Sequence, residues 1–132
     1  MKILIAEDDL ISRKVMKKFV EDYGEYDIVV NGSEAIEMFK QSLEEEEPYN
    51  IIFLDVMMPE IDGFNVLKRV REIEEEYNIK SDNKVKIIMT TALGESKNII
   101  DAFRDQCDDY IVKPVEREKV MEILNNFSKQ VI

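Results

Sequence analysis

Four places in this chain put a chemically active side chain at the end of a short apolar run. Glu7-Asp8-Asp9 follows residues 2–6, Asp55 follows Ile51-Ile52-Phe53-Leu54, Thr90-Thr91-Ala92 closes the run that starts at Val85, and Lys113-Pro114 follows residues 109–112. If these runs are parallel strands of one open sheet, their carboxyl ends share a rim, which is where such sheets bind ligands. Asp8, Asp9 and Asp55 would then meet as three carboxylates, whose repulsion costs free energy unless a proton or a cation offsets it. An oxygen-only set without histidine or paired cysteine points to a hard cation. A few carboxylates that leave room for waters and a phosphate suit Mg2+ better than Ca2+. The competing reading of Asp8 and Asp9 is a cap on the following helix. It would suffice for one acidic residue, but a doublet facing a third aspartate is better read as a cation site.

Asp55 has its backbone set by the apolar run before it and its carboxylate at the rim, a placement that suits a nucleophile. A carboxylate can accept a phosphoryl group as an acyl phosphate. A metal and an ammonium would stabilise the charge on the transferring oxygens. Lys113 is placed to be that ammonium; a solvated surface lysine is the ordinary alternative, against which stand the strand end and the proline that follows. Only X-Pro bonds adopt cis readily, and a cis Lys113-Pro114 bond would aim the lysine inward. Thr91 offers a hydroxyl to a phosphoryl oxygen, although Thr90 is adjacent and strand alternation admits one of the two. Tyr110 is either core or a ring that changes position with Thr91. Met57 and Met58 read as packing side chains whose backbone carbonyls are available to a metal.

The elements that must position these residues are legible as alternating periods. The predicted strands are residues 2–6, 26–30, 50–54, 85–90 and 109–112, several of them apolar on both faces, as parallel strands covered by helices are. Between them run helical stripes: Ile11, Val15, Phe19, Val20 and Tyr23; Ala35, Ile36, Phe39 and Leu43; Val66, Leu67, Val70 and Ile73; Ile99, Ile100 and Phe103; and Val120, Ile123, Leu124 and Phe127. Asn31-Gly32-Ser33-Glu34 has the spacing of a capping box. Residues 77–84 read as a loop, and the acidic runs at 44–47 and 74–76 as solvated helix ends. The result is an α/β (βα)5 chain, and right-handed crossovers with only five strands favour an open, doubly wound parallel sheet over an eight-stranded barrel.

At 132 residues the chain suits a single domain, residues 1–132, with one site. No apolar run reaches the length of about 18 that a membrane span needs, and the acidic residues at 7–9 interrupt any signal-like start. One cysteine, Cys107, excludes an internal disulfide and fits a reducing cytoplasm. A net charge of -11 disfavours direct binding to nucleic acid or an anionic membrane, since both carry phosphates.

The motifs Ala6-Glu7-Asp8-Asp9, Asp55-Val56-Met57-Met58-Pro59 with Asp62-Gly63, Thr91-Ala92, Asp109-Tyr110 and Lys113-Pro114 together span nearly the whole chain. On these residues it resembles the response-regulator receiver domains of two-component signalling, in particular single-domain regulators of the chemotaxis type. The resemblance implies a flavodoxin-like receiver fold with Asp55 as phosphoacceptor. It implies that Asp9, Asp55 and the Met57 carbonyl bind Mg2+, or Mn2+ in its place, with Asp8 acting through a metal-bound water. It further assigns the switch hydroxyl to Thr91, the phosphate-binding ammonium to Lys113 and the switch ring to Tyr110. The implied donor is a phosphohistidine on a sensor histidine kinase or a histidine phosphotransfer protein. The implied output is a protein partner, not identified by the sequence, on the face of the fourth helix, fifth strand and fifth helix. Such a domain promotes only its own phosphorylation and dephosphorylation. Met57 and Leu93 would border the path of a hydrolytic water and, being apolar, lengthen the life of the phosphorylated state.

Two departures lie near that output face: Gln106-Cys107 where the family commonly has Gly-Ala, and Val115 where it often has Phe. With no output segment after the fifth helix, the chain is expected to act as a diffusible output, as a phosphorelay intermediate, or as a receiver cut from a longer protein. An aspartate-nucleophile phosphohydrolase of the haloacid-dehalogenase type is a weaker fit, because position 57 is Met where Asp-x-Asp is needed and no cap domain is present. A flavodoxin-like nucleotide binder would need a glycine-rich anion cradle where this chain has Glu7-Asp8-Asp9. A receiver-like interaction module without phosphorylation would not need the acidic set or Lys113.

Overall fold

Alternation along the strands decides which apolar residues cover which face of the sheet. A computed structural model describes residues 1–92 and 106–131, with side chains through residue 127. The expected fourth helix, with Ile99, Ile100 and Phe103, and Leu93 lie outside the described residues. Five parallel strands, β1 (Lys2–Ala6), β2 (Glu25–Val29), β3 (Ile51–Asp55), β4 (Lys86–Ala92) and β5 (Asp109–Lys113), form one sheet in the order β2-β1-β3-β4-β5. Leu4, Ala6, Ile52, Leu54, Ile87 and Met89 face one side, where they meet Phe39 of α2 (Gly32–Glu44) and Val66, Leu67, Val70 and Ile73 of α3 (Gly63–Glu76). Ile3, Ile5, Ile51, Phe53, Ile88 and Ile111 face the other side. There they meet Met16 and Val20 of α1 (Leu10–Val20) and Val120, Ile123 and Leu124 of the C-terminal helix (Arg117–Val131). Each of these Val, Leu, Ile, Phe and Met side chains, fully buried, contributes about 1.5–3 kcal/mol.

The expected open, doubly wound sheet of five parallel strands is therefore what the described residues form, with four of the five expected helices and with shifted edges. β2 starts and ends one residue earlier than predicted, β4 runs on to Ala92, and Asp55 and Lys113 are the last residues of their strands rather than the first beyond them. A 3-10 turn, Ser81–Asn83, lies in the predicted loop.

Three local readings are corrected. In α1 the buried residues are Met16 and Val20, while Ile11 is 72% exposed, because the helix starts at Leu10 and only its later turns lie over the sheet. The expected capping box is half formed: Asn31 accepts from the Glu34 N–H, but Glu34 accepts from the Val30 N–H, one residue earlier than the box requires. Glu74 is no solvated helix end. It is buried, its Oε1 accepting from Arg71 Nη1 at 2.6 Å and its Oε2 from the Val85 N–H at 2.8 Å.

The chain goes from β1 outward to β2 and then crosses to β3 on the opposite side of β1, so successive connections diverge at the carboxyl ends of β1 and β3. That divergence opens the crevice in which such sheets bind ligands.

Candidate functional site

Register brings the acidic residues together across this crevice. Ala6 is paired with Leu54, so the next step along both strands sets Glu7 opposite Asp55. The ladder continues past the strand ends: the Glu7 N–H donates to the Val29 carbonyl, and the Val56 N–H to the Thr90 carbonyl. After Asp55 the chain turns back through Asp62, which caps α3 by accepting from the Asn65 N–H, and Gly63, whose N–H donates to the Val56 carbonyl at 2.8 Å. A β-carbon at Gly63 would collide with the Asp55 carbonyl oxygen, so only glycine allows this close return.

Glu7, Asp8 and Asp55 each offer a carboxylate oxygen, all within 4.8 Å of one another; Glu7 and Asp55 are buried and Asp8 is exposed. Lys113, paired by register with Ala92, reaches back over the end of β4, its Nζ 2.8 Å from Glu7 Oε1 and 3.2 Å from Asp55 Oδ1. The Lys113-Pro114 bond is cis. Burial, then the hydrogen bond and charge of Glu7, push the Asp55 carboxyl up to about 8. Burial also works to raise the Glu7 carboxyl, but its hydrogen bonds with Asp55 and Lys113 outweigh this and hold it below the usual range. For Lys113 burial opposes the charge, and the two carboxylates more than restore it. The donors are all oxygen, with three carboxylates against one ammonium, so the site fits a hard divalent cation such as Mg2+.

The carboxylates brought together are thus Glu7, Asp8 and Asp55, where Asp8, Asp9 and Asp55 were expected. Asp9 is the N-cap of α1: its carboxylate accepts from the Ser12 N–H at 2.8 Å, a bond that lowers its pKa. The spacing Asp9-Leu10-Ile11-Ser12 ahead of a helix carried this signal, since Asp is a preferred N-cap and bonds the N–H two or three residues on. Glu7 was readable as the first residue beyond β1.

Thr90 is paired with Asp55, and Thr91 is one step nearer the rim; both are buried. Tyr110 is 39% exposed on β5 and lines a surface cleft of about 540 Å3 with Val112, Lys113, Pro114, Glu116 and Lys119. Met58 packs in the core as expected, but Met57 does not: its side chain is 65% exposed, because the turn after Asp55 points it outward, while its N–H donates to Asp55 Oδ1 at 3.3 Å. Among the described residues no helix is long and apolar enough to cross a membrane.

A family model described as the response regulator receiver domain matches residues 3–125. The chain is 32% identical over 127 residues to the chemotaxis protein CheY of Bacillus subtilis, covering 94% of each. It is 33% identical over 129 residues to hybrid signal transduction histidine kinase L of Dictyostelium discoideum, of which it spans only 7%. Among solved structures it is similar, with a TM-score of 0.78 and 25% identity, to a chain of the co-crystal of the Saccharomyces cerevisiae phosphotransfer protein Ypd1 and the receiver domain of its downstream response regulator Ssk1. That match covers 96% of this chain and 88% of the other.

Proposed function

This chain belongs to the response regulator receiver domain family, and from that premise we propose that it accepts a phosphoryl group on Asp55 from a phosphohistidine and acts as a phosphoacceptor rather than a turnover enzyme. The observation that carries this reading is Asp55 itself. It is a buried strand-end carboxylate, 3.2 Å from the Lys113 ammonium and grouped with Glu7 and Asp8. In the transfer an Asp55 carboxylate oxygen forms a bond to phosphorus as the phosphorus–nitrogen bond breaks, and the imidazole leaves with that electron pair. Lys113 neutralises the phosphoryl oxygens as they arrive, and the Thr91 hydroxyl donates to one of them. Asp8 and Asp55, with the Met57 carbonyl, would hold Mg2+, which when bound supplies positive charge to the phosphoryl oxygens. Glu7 holds Lys113 and supports the cation from the buried side of the site.

The likeness to a chemotaxis regulator over 94% of both chains supports a receiver whose output is a partner protein. The likeness to a chain of the Ypd1–Ssk1 co-crystal supports a histidine phosphotransfer protein as donor, the phosphorelay reading. In either role Tyr110, on the exposed cleft at β5, is proposed to report the state of Thr91 to the partner. The test is incubation with radiolabelled acetyl phosphate and Mg2+. The parent labels on one residue and Asp55→Asn does not; labelling of that variant at an unchanged rate would overturn the assignment, and steady turnover of small phosphate esters would favour a hydrolase.

A further inference from the structure

Arg13 stands on α1, outside the acidic group, yet its guanidinium is spent on the loop that carries it. Its Nη1 donates to the Asp8 carbonyl at 2.8 Å and to the Glu7 carbonyl at 3.2 Å. Those two oxygens belong to the successive peptide planes on either side of the Asp8 α-carbon. Each plane is rigid, so the only freedom between them is the φ and ψ of Asp8. Tying both oxygens to one nitrogen holds them close together and so restricts those two angles, and with them the direction in which the Asp8 side chain leaves the backbone. Asp8 is the exposed member of the carboxylate group, whereas Glu7 and Asp55 are held by burial and by Lys113.

We infer that Arg13 is the positioning residue for Asp8: it fixes the backbone on which the exposed metal-ligating carboxylate depends. The inference rests on the reading of Glu7, Asp8 and Asp55 as a Mg2+ site. The carbonyl bonds and the charge of Arg13 pull in opposite directions on a cation. By charge alone, removing a guanidinium near the site relieves repulsion and tightens Mg2+ binding. By positioning, removing it releases Asp8 and weakens binding, in the range of about 10- to 100-fold found for residues that orient metal ligands.

The experiment is a Mg2+ titration followed by calorimetry on the parent, Arg13→Met and Arg13→Gln, with thermal melts in chelator to check the fold. Arg13→Met is expected to bind Mg2+ at least about tenfold more weakly, and Arg13→Gln, which keeps an amide donor without the charge, to recover part of the loss. Amide hydrogen exchange at residues 8 and 9 in chelator should quicken in Arg13→Met and less so in Arg13→Gln. Folded Arg13→Met that binds Mg2+ as tightly as the parent, or more tightly, overturns the inference and leaves the metal site standing. A parent that binds no Mg2+ instead overturns the metal reading. If Arg13→Met does not fold, Arg13→Gln decides: parental affinity with parental exchange at residues 8 and 9 overturns the inference, and weakening with faster exchange supports it.

Discussion

Lys113 Nζ lies closer to Glu7, at 2.8 Å, than to Asp55, at 3.2 Å. The lysine is thus held in place by a residue other than Asp55, the proposed acceptor. It can stay beside Asp55 while that side chain changes from carboxylate to acyl phosphate, and the buried pair of carboxylates keeps one cation between them.

Without metal, the stability of the fold should fall as pH rises through the neutral range. The Asp55 carboxyl, raised from 3.8 to about 8, binds its proton more tightly in the folded chain, so its stabilising contribution is present at low pH and is lost between 3.8 and about 8. Glu7, held below 4.5, acts in the opposite sense, and its contribution is lost only as pH falls through its lowered value. Melting temperatures in chelator should therefore drop between about pH 5 and pH 8 in the parent. Asp55→Asn should be flat there and more stable at the upper end. A parent with no such slope contradicts the assigned burial and repulsion at Asp55.

Millimolar Mg2+ should raise the melting temperature of the parent, by roughly 2.7 kcal/mol of stability at about 100 times the dissociation constant. The effect should shrink in Asp55→Asn. Equal stabilisation of both proteins would place the bound cation elsewhere.

The geometry separates the roles of three residues in a metal titration. Asp8→Ala should weaken Mg2+ binding sharply. Asp9→Ala should leave it nearly intact and instead loosen the start of α1, seen as faster amide exchange at Ser12, whose N–H it caps. Lys113→Ala should not weaken Mg2+ binding but should slow phosphorylation from acetyl phosphate. Asp8 and Asp9 variants with the same affinity loss would show that helix capping and metal holding are not divided between them.

Glu74→Ala should be among the most damaging changes far from the site. It removes one acceptor of Arg71, which keeps the Gln106 and Val85 carbonyls and Asp108, and it leaves the Val85 N–H without its acceptor. Leaving a buried donor such as the Val85 N–H unpaired costs about 1–3 kcal/mol. The check is the urea midpoint: a loss under about 1 kcal/mol would put this pair with ordinary surface bridges.

Met57→Asn should hasten loss of the phosphoryl group from Asp55. Met57 is exposed two residues after Asp55, so its side chain is free to lie over a group attached there, and an amide would offer a water a hydrogen bond that the thioether does not. The measurement is the decay of phosphorylated protein after the donor is removed, and an unchanged rate would show that Met57 does not govern the lifetime.

The residues alone determined the alternation of strands and helices, because periods of two and of 3.6 are written in the spacing of apolar side chains. They also marked Asp55 and Lys113 as rim residues, since each terminates an apolar run. What they did not contain was the choice among neighbours. Glu7, Asp8 and Asp9 are consecutive, and only the register of β1 against β3, together with the point where α1 begins, turns Glu7 toward Asp55 and commits Asp9 to the helix end. The same limit applies to Glu74, which reads as one more acidic residue until Arg71 and Val85, just before β4, bond its carboxylate, and to Ile11 and Met57, apolar but exposed. Type and spacing are local properties, whereas burial, partner and direction arise from segments far apart in the chain, and these only the packed sheet and its helices decided.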